Sequence, residues 1–63
     1  MTYRVMYLTA EDEAEHQDCP DIRSALTVGN ELLYLRDCYA ITIVNLDARP
    51  GEISAWSVEK EAL

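Results

Sequence analysis

Apolar and polar positions interleave over residues 2 to 9, TYRVMYLT: Tyr3, Val5 and Tyr7 form one set, Met6 and Leu8 the other. Tyrosine, valine and threonine suit a pleated backbone, so the pattern predicts a strand. Both sets carry apolar groups, and the strand is expected to be covered at least in part on both faces. The apolar signal then stops at EDEAEHQD, residues 11–18, which reads as a solvated acidic loop. It returns at DCPD: Asp18 suits a helix N-cap, Pro20 a first helical turn, and Asp21 the positive end of the helix dipole. Ile22, Leu26, Gly29, Leu33 and Arg36 follow at spacings of three and four, with Ala25 and Leu32 alongside. That is an amphipathic helical stripe. Gly29 costs about 1 kcal/mol in a helix interior, but on the stripe it lets the helix lie close to a sheet. A hairpin of SALTV and ELLYLR about the turn GN is the rival reading. The helix is preferred, because ELLYLR does not alternate and the start signals would otherwise be wasted.

CYAITIVNL is rich in isoleucine, valine, tyrosine and threonine and reads as a central strand. Pro50 and Gly51 fit the middle of a type II turn. EISAWSVE is then the returning strand, with Ile53 and Ala55 on one side and Trp56 and Val58 on the other. The tail, KEAL, is expected to fray. The predicted fold is α+β: a single small domain over residues 1–63, ordered strand–helix–strand–strand, with one helix packed on a three-stranded sheet. If the first two strands are parallel neighbours, the crossover should be right-handed. The middle strand is apolar on both faces. Ala40 and Gly29 opposite one another would allow close approach, which places Ala40, Thr42 and Val44 under the helix. Tyr39, Ile41 and Ile43 then fall on the open face. Apolar side chains there mark an interface, and a homodimer pairing open faces or edge strands is the simplest way to cover them.

The chain has 63 residues, 49% of them apolar, with only two Gly and two Pro, a composition that folds. So short a domain buries only about 60% of its unfolded surface, so a staple, a metal or a partner would help. The formal net charge is −7, and it is local: Glu11, Asp12, Glu13, Glu15, Asp18 and Asp21 lie in one stretch that has no Lys or Arg. The remainder holds six acids against five bases. Such a balance disfavours nucleic-acid binding through phosphates and points to a basic protein surface as partner. No apolar run approaches the roughly 18 residues of a membrane span, and MTYRVMYLTAEDE lacks the pattern of a secretory leader. A cytosolic location is expected. Cys19 and Cys38 flank the predicted helix, about 28 Å apart at its rise per residue, too far for a bridge. They are read as free thiols.

The chemistry-bearing residues form no catalytic set. His16 and Cys19, with Asp12 and Glu13 beside them, fall short of the paired spacings of zinc sites, and the calcium-loop pattern is missing. Cys19 lies among acids that raise a thiol pKa. The carboxylates share one stretch with nothing to hold them at a fixed separation. No Gly-rich phosphate loop is present. Trp56 and the four tyrosines suit packing and protein contact better than base stacking, which comes with basic surroundings. No catalytic residue, metal or cofactor is expected, and the chain reads as a non-enzyme.

The opening YRVMYLT, the helix with ALTVGNELL and the closing YAITIVNLD…GEISAW together resemble small accessory proteins of bacteriophages and mobile elements, including anti-CRISPR proteins and other inhibitors of host defence. The resemblance implies a compact acidic body in the host cytosol that works by binding, covering a basic surface such as a nucleic-acid channel in a host complex. Half of the acids sit in one stretch, which favours a local plug over mimicry of a whole nucleic acid. Glu11, Asp12, Glu13, Glu15 and Asp18 would steer and anchor the partner, and Tyr39, Ile41 and Ile43 would supply desolvated contacts. The alternative is a small homodimeric structural module in which the acidic stretch is passive.

Overall fold

A computed structural model describes residues 2–59, so the expectation for the tail at 60–63 lies outside the described residues. The strands are β1 (Tyr3–Leu8), β2 (Ala14–Cys19), β3 (Tyr39–Asn45) and β4 (Ala55–Val58), and one helix, α1 (Ile22–Leu35), lies between β2 and β3. They form a single antiparallel sheet in the order β2-β1-β3-β4. The α+β class holds, with one helix packed on the sheet. The sheet has four strands rather than three, because the acidic stretch is itself a strand.

β2 has poor strand propensity but a strong local cause. The β1–β2 connection is a tight turn in which the Asp12 N–H donates to the Thr9 carbonyl and the Thr9 N–H to the Glu13 carbonyl, both at 2.9 Å. Asp12 sits there at φ 63°, a left-handed conformation that aspartate tolerates well among non-glycine residues. Thr9 Oγ1 accepts from the N–H groups of Glu11 and Glu13. The turn sets the register, Tyr3 opposite Cys19 through to Leu8 opposite Ala14. An edge strand can carry charge, and charge there discourages pairing with other chains.

The helix begins at Asp21, not Asp18. The Ser24 N–H donates to Asp21 Oδ1 at 2.7 Å, while Asp18 is still inside β2. The buried line of the helix is Ala25, Gly29, Leu32 and Leu33. Ile22 and Leu26 sit at its margin, at 37% and 45% exposure. Just beyond the C-cap Arg36, Asp37 turns left-handed at φ 52°, and the Cys38 N–H returns to the Leu32 carbonyl at 3.0 Å. β2 and β3 are each antiparallel to β1 and hence parallel to each other. The helix joins these two across β1, so the expected parallel pairing of the first and the middle predicted strands is replaced by a split crossover.

The core lies between α1 and one face of the sheet: Tyr3, Val5, Cys19, Ala25, Leu32, Leu33, Cys38, Ile41 and Ile43. Val5, Ile41 and Ile43 are the largest fully buried side chains, each worth roughly 1.5–3 kcal/mol. The assignment of faces on β3 is therefore the reverse of the one expected. Ile41 and Ile43 face the helix, and Thr42 and Val44 face away. The close approach at Gly29 is real, but its neighbours are Ile41 and Val58: a Cβ at Gly29 would lie 3.7 Å from Ile41 Cγ2 and 3.3 Å from Val58 Cγ2. The turn before β4 is as expected. The Glu52 N–H donates to the Arg49 carbonyl at 3.0 Å, and Gly51 at φ 89° takes the position that a type II turn reserves for positive φ. β4 is shorter than the EISAWSVE strand, and Ile53 lies outside it, 70% exposed.

Candidate functional site: the open sheet face and its acidic turn

One irregularity decides which side chains the open face presents. Met6 pairs with Thr42 and Leu8 with Tyr39, so Tyr7 alone stands opposite both Ala40 and Ile41. This is a β-bulge, and Ala40 takes up the extra residue in the left-handed conformation at φ 53°. A bulge shifts the alternation of side chains by one. Ile41 and Ile43 follow the helix side, whereas Tyr39, two residues before Ile41, comes out on the other side beside Leu8.

Cross-strand partners share a face, so the rest follows from the pairings. Arg4, Met6 and Leu8 of β1 project away from the helix. Asp18, His16 and Ala14 of β2 lie beside them, Val44, Thr42 and Tyr39 of β3 flank the other side, and Ala55 and Ser57 of β4 lie at the far edge. Met6 is 47% and Tyr39 44% exposed. Met6, Tyr7, Leu8, Ala14, Glu15, Ala40 and Thr42 line a shallow, mainly apolar depression of about 370 Å³. No element of the described chain covers this face.

The five acids of the sequence proposal are not one cluster. Glu11, Asp12 and Glu13 form the β1–β2 turn at one end of the depression. Glu15 lies in β2 at its wall. Asp18 is at the far end of β2, where Arg4 grips it: Nε donates to Oδ1 at 2.8 Å and Nη2 to Oδ2 at 3.1 Å. That hydrogen-bonded pair holds Asp18 below the ordinary carboxylate range and raises Arg4. Asp18 is thus engaged within the chain. Asp12 is engaged too, accepting a hydrogen bond from the Tyr39 hydroxyl that ties the turn to the start of β3. Glu11, Glu13 and Glu15 have no ion pair among the described residues. Of the residues expected to contact a partner, Tyr39 lies on the open face, while Ile41 and Ile43 are buried beneath the helix at 2% and 0% exposure and cannot make a direct contact. Met6, Leu8 and Thr42 lie beside Tyr39 on the open face. The alternation of β1 already separated Met6 and Leu8 from the core set, whereas the bulge left no sequence signal.

Cys19 and Cys38 are free and buried. Burial pushes the Cys19 thiol up, and Asp21 and Asp18 act in the same direction, so it stays protonated at neutral pH. Among the described residues, no three His, Cys, Asp or Glu side chains are grouped so as to hold a metal ion. Among the described residues, no helix is long and apolar enough to cross a membrane. Comparison with family models, with curated proteins and with solved structures found no match.

Proposed function

We propose that this chain is a non-enzymatic binding protein that inhibits or regulates a larger complex by covering a basic protein surface, with the open sheet face and the β1–β2 turn as its contact. The observation that carries this reading is an uncovered apolar depression bordered by the β1–β2 turn and the edge strand β2, which together bear the carboxylates Glu11, Glu13 and Glu15, none of them in an ion pair among the described residues. Apolar contact supplies affinity, and the carboxylates steer a cationic partner into place. A nucleic-acid channel is one surface of that kind, and the resemblance to inhibitors of host defence points the same way. The test is affinity capture from extract of the source cells with two baits, the wild-type chain and Glu11→Gln/Glu13→Gln/Glu15→Gln. A partner with a basic surface should be retained by the first, be lost by the second and elute with salt. Equal retention by both baits, indifferent to salt, would overturn the reading.

A second reading, a homodimeric module, draws support from the other edge of the sheet. β4 is an edge strand with no charged side chain, exposed over Ala55–Ser57, whereas β2 protects its own edge with acids. Sedimentation at micromolar concentration tests it. A dimer that Ser57→Pro dissociates favours this reading, and a monomer removes it.

A further inference from the structure

β4 ends the sheet, and among the described residues no strand lies beyond it. The phase of its ladder fixes which main-chain groups face outward. The Asn45 N–H donates to the Ser54 carbonyl at 2.7 Å, so Ile43 opposite Trp56 and Ile41 opposite Val58 are the next hydrogen-bonded pairs. Ala55, opposite Val44, and Ser57, opposite Thr42, hold the alternate positions, and their N–H and C=O groups point away from β3. We infer that a second copy of this chain binds there: β4 pairs antiparallel with β4 of the second copy about a two-fold axis at Trp56, joining the two sheets into one. The inference deepens the homodimeric reading and rests on it.

The outward groups choose the register. Ala55 opposite Ser57 of the second copy, and the reverse, uses both residues of each copy and keeps every new bond inside β4. Trp56 then stands opposite Trp56 of the second copy in a non-hydrogen-bonded pair, where Cα atoms are about 4.5 Å apart and side chains lie closest. Trp56 shares the helix side with Ile43, leans on Tyr3 at a ring-centroid distance of 6.3 Å and is still 37% exposed. A two-fold axis perpendicular to the sheet keeps both helices on one face, so the paired indoles are covered in the trough between them. β4 is a short edge, and aromatic contact supplies what so few main-chain bonds lack. Charge singles out this edge and this occupant. Ala55–Val58 carries no charge, whereas the opposite edge, β2, repels its own copy with Glu15 and Asp18. β2 lies three strand spacings, roughly 14 Å, from β4, beyond the screening length of about 8–10 Å, so the acidic stretch does not oppose the pairing. Pairing of β4 with β2 of another copy would be head-to-tail and open-ended, whereas β4 on β4 closes.

The wild-type chain, Ser57→Pro, Trp56→Cys and Ser57→Cys make the test. Sedimentation of the wild type at micromolar concentration should show a dimer. Ser57→Pro removes one outward N–H and leaves the bonds to β3 whole, so it should be a monomer with unchanged circular dichroism. Under mild oxidation Trp56→Cys should form a covalent dimer at least tenfold faster than Ser57→Cys, because only residue 56 meets its own copy within disulfide reach, roughly 4.4–6.8 Å between Cα atoms. Cys19 and Cys38 are buried and common to both variants, so they do not bias the comparison. A monomeric wild type overturns the inference and the homodimeric reading together. A dimer that a folded Ser57→Pro leaves intact overturns the inference alone and places the dimer on another surface. Faster cross-linking of Ser57→Cys moves the axis to Ser57 and overturns the pairing of the indoles. If Ser57→Pro unfolds, the two cysteine variants decide, and equal rates overturn the inference.

Discussion

Substituting Ala40 tests the bulge, and with it the identity of every side chain on the open face. Ala40 is held at φ 53°, where an L-residue with a Cβ is disfavoured by roughly 1–2 kcal/mol. Glycine removes that cost but loses roughly 0.5–1 kcal/mol of backbone entropy on folding. The balance for Ala40→Gly is a stabilisation of about 0.5–1 kcal/mol, equivalent to a Tm rise of roughly 2–8 °C in a domain of this size. Ala40→Val should go the other way, by about 1 kcal/mol or more, because a β-branched residue fits a left-handed position worst. In a regular strand both signs would be reversed: glycine would weaken the strand, and valine would strengthen it by up to about 1 kcal/mol. Thermal and urea unfolding of the two variants beside wild type measures the pair. A stabilised Ala40→Val with a destabilised Ala40→Gly would show that β3 runs without a bulge, and Tyr39 would return to the face of Ile41.

Other substitutions test the packing. Ile43→Glu places an unpaired charge in a fully buried site at a cost of several kcal/mol, against a total stability of roughly 3–9 kcal/mol for this length, so the chain should be unfolded by circular dichroism; a folded Ile43→Glu would return Ile43 to the open face. Gly29→Ala gains about 0.8–1 kcal/mol of helix propensity and meets Val58 Cγ2 at 3.3 Å; Val58 ends the short strand β4 and can give way, so a net stabilisation of about 0.5 kcal/mol is expected, and a loss above about 1 kcal/mol would mean that helix and sheet cannot separate there. The Arg4–Asp18 pair lowers the pKa of Asp18, so its contribution is full above the ordinary carboxylate range near pH 4 and fades as pH falls through the lowered value; Asp18→Asn should flatten that limb of the acid-unfolding curve, and an unchanged curve would show that the pair contributes nothing to stability.

Regular patterning carried the α+β class, the helix and the turn at Pro50–Gly51, because each rests on local physics: 3.6-residue periodicity, and a glycine where φ must be positive. The elements that escaped it depend on contacts distant in sequence. AEHQDC has no strand signal of its own. It pairs because Thr9 and Asp12 close a tight turn and Arg4 reaches across to Asp18. The faces of β3 are reversed because the small residue facing the helix is Gly29 alone, packed on Ile41 and Val58 rather than opposite Ala40, and Tyr39 leaves the face of Ile41 for a further reason. A strict period of two groups Tyr39 with Ile41, and nothing local to Ala40 announces the extra residue that separates them. The site inherits both surprises. The acidic stretch, folded into an edge strand, divides its carboxylates among a turn, a wall and an ion pair, and the apolar side chains of the open face are Met6 and Leu8 rather than Ile41 and Ile43.

On the proposed reading, the open face and the acidic turn together form the contact surface. Titration of the isotope-labelled chain with an octapeptide of alternating leucine and arginine, followed by amide chemical shifts, tests it residue by residue. Shifts are expected at Met6, Leu8, Ala14 and Thr42 and along Glu11–Glu15 that diminish with salt, while Arg23, Thr27 and Glu31 on the exposed side of the helix stay still. Shifts concentrated on the helix, or along Ala55–Val58 with the β1–β2 turn unmoved, would contradict it.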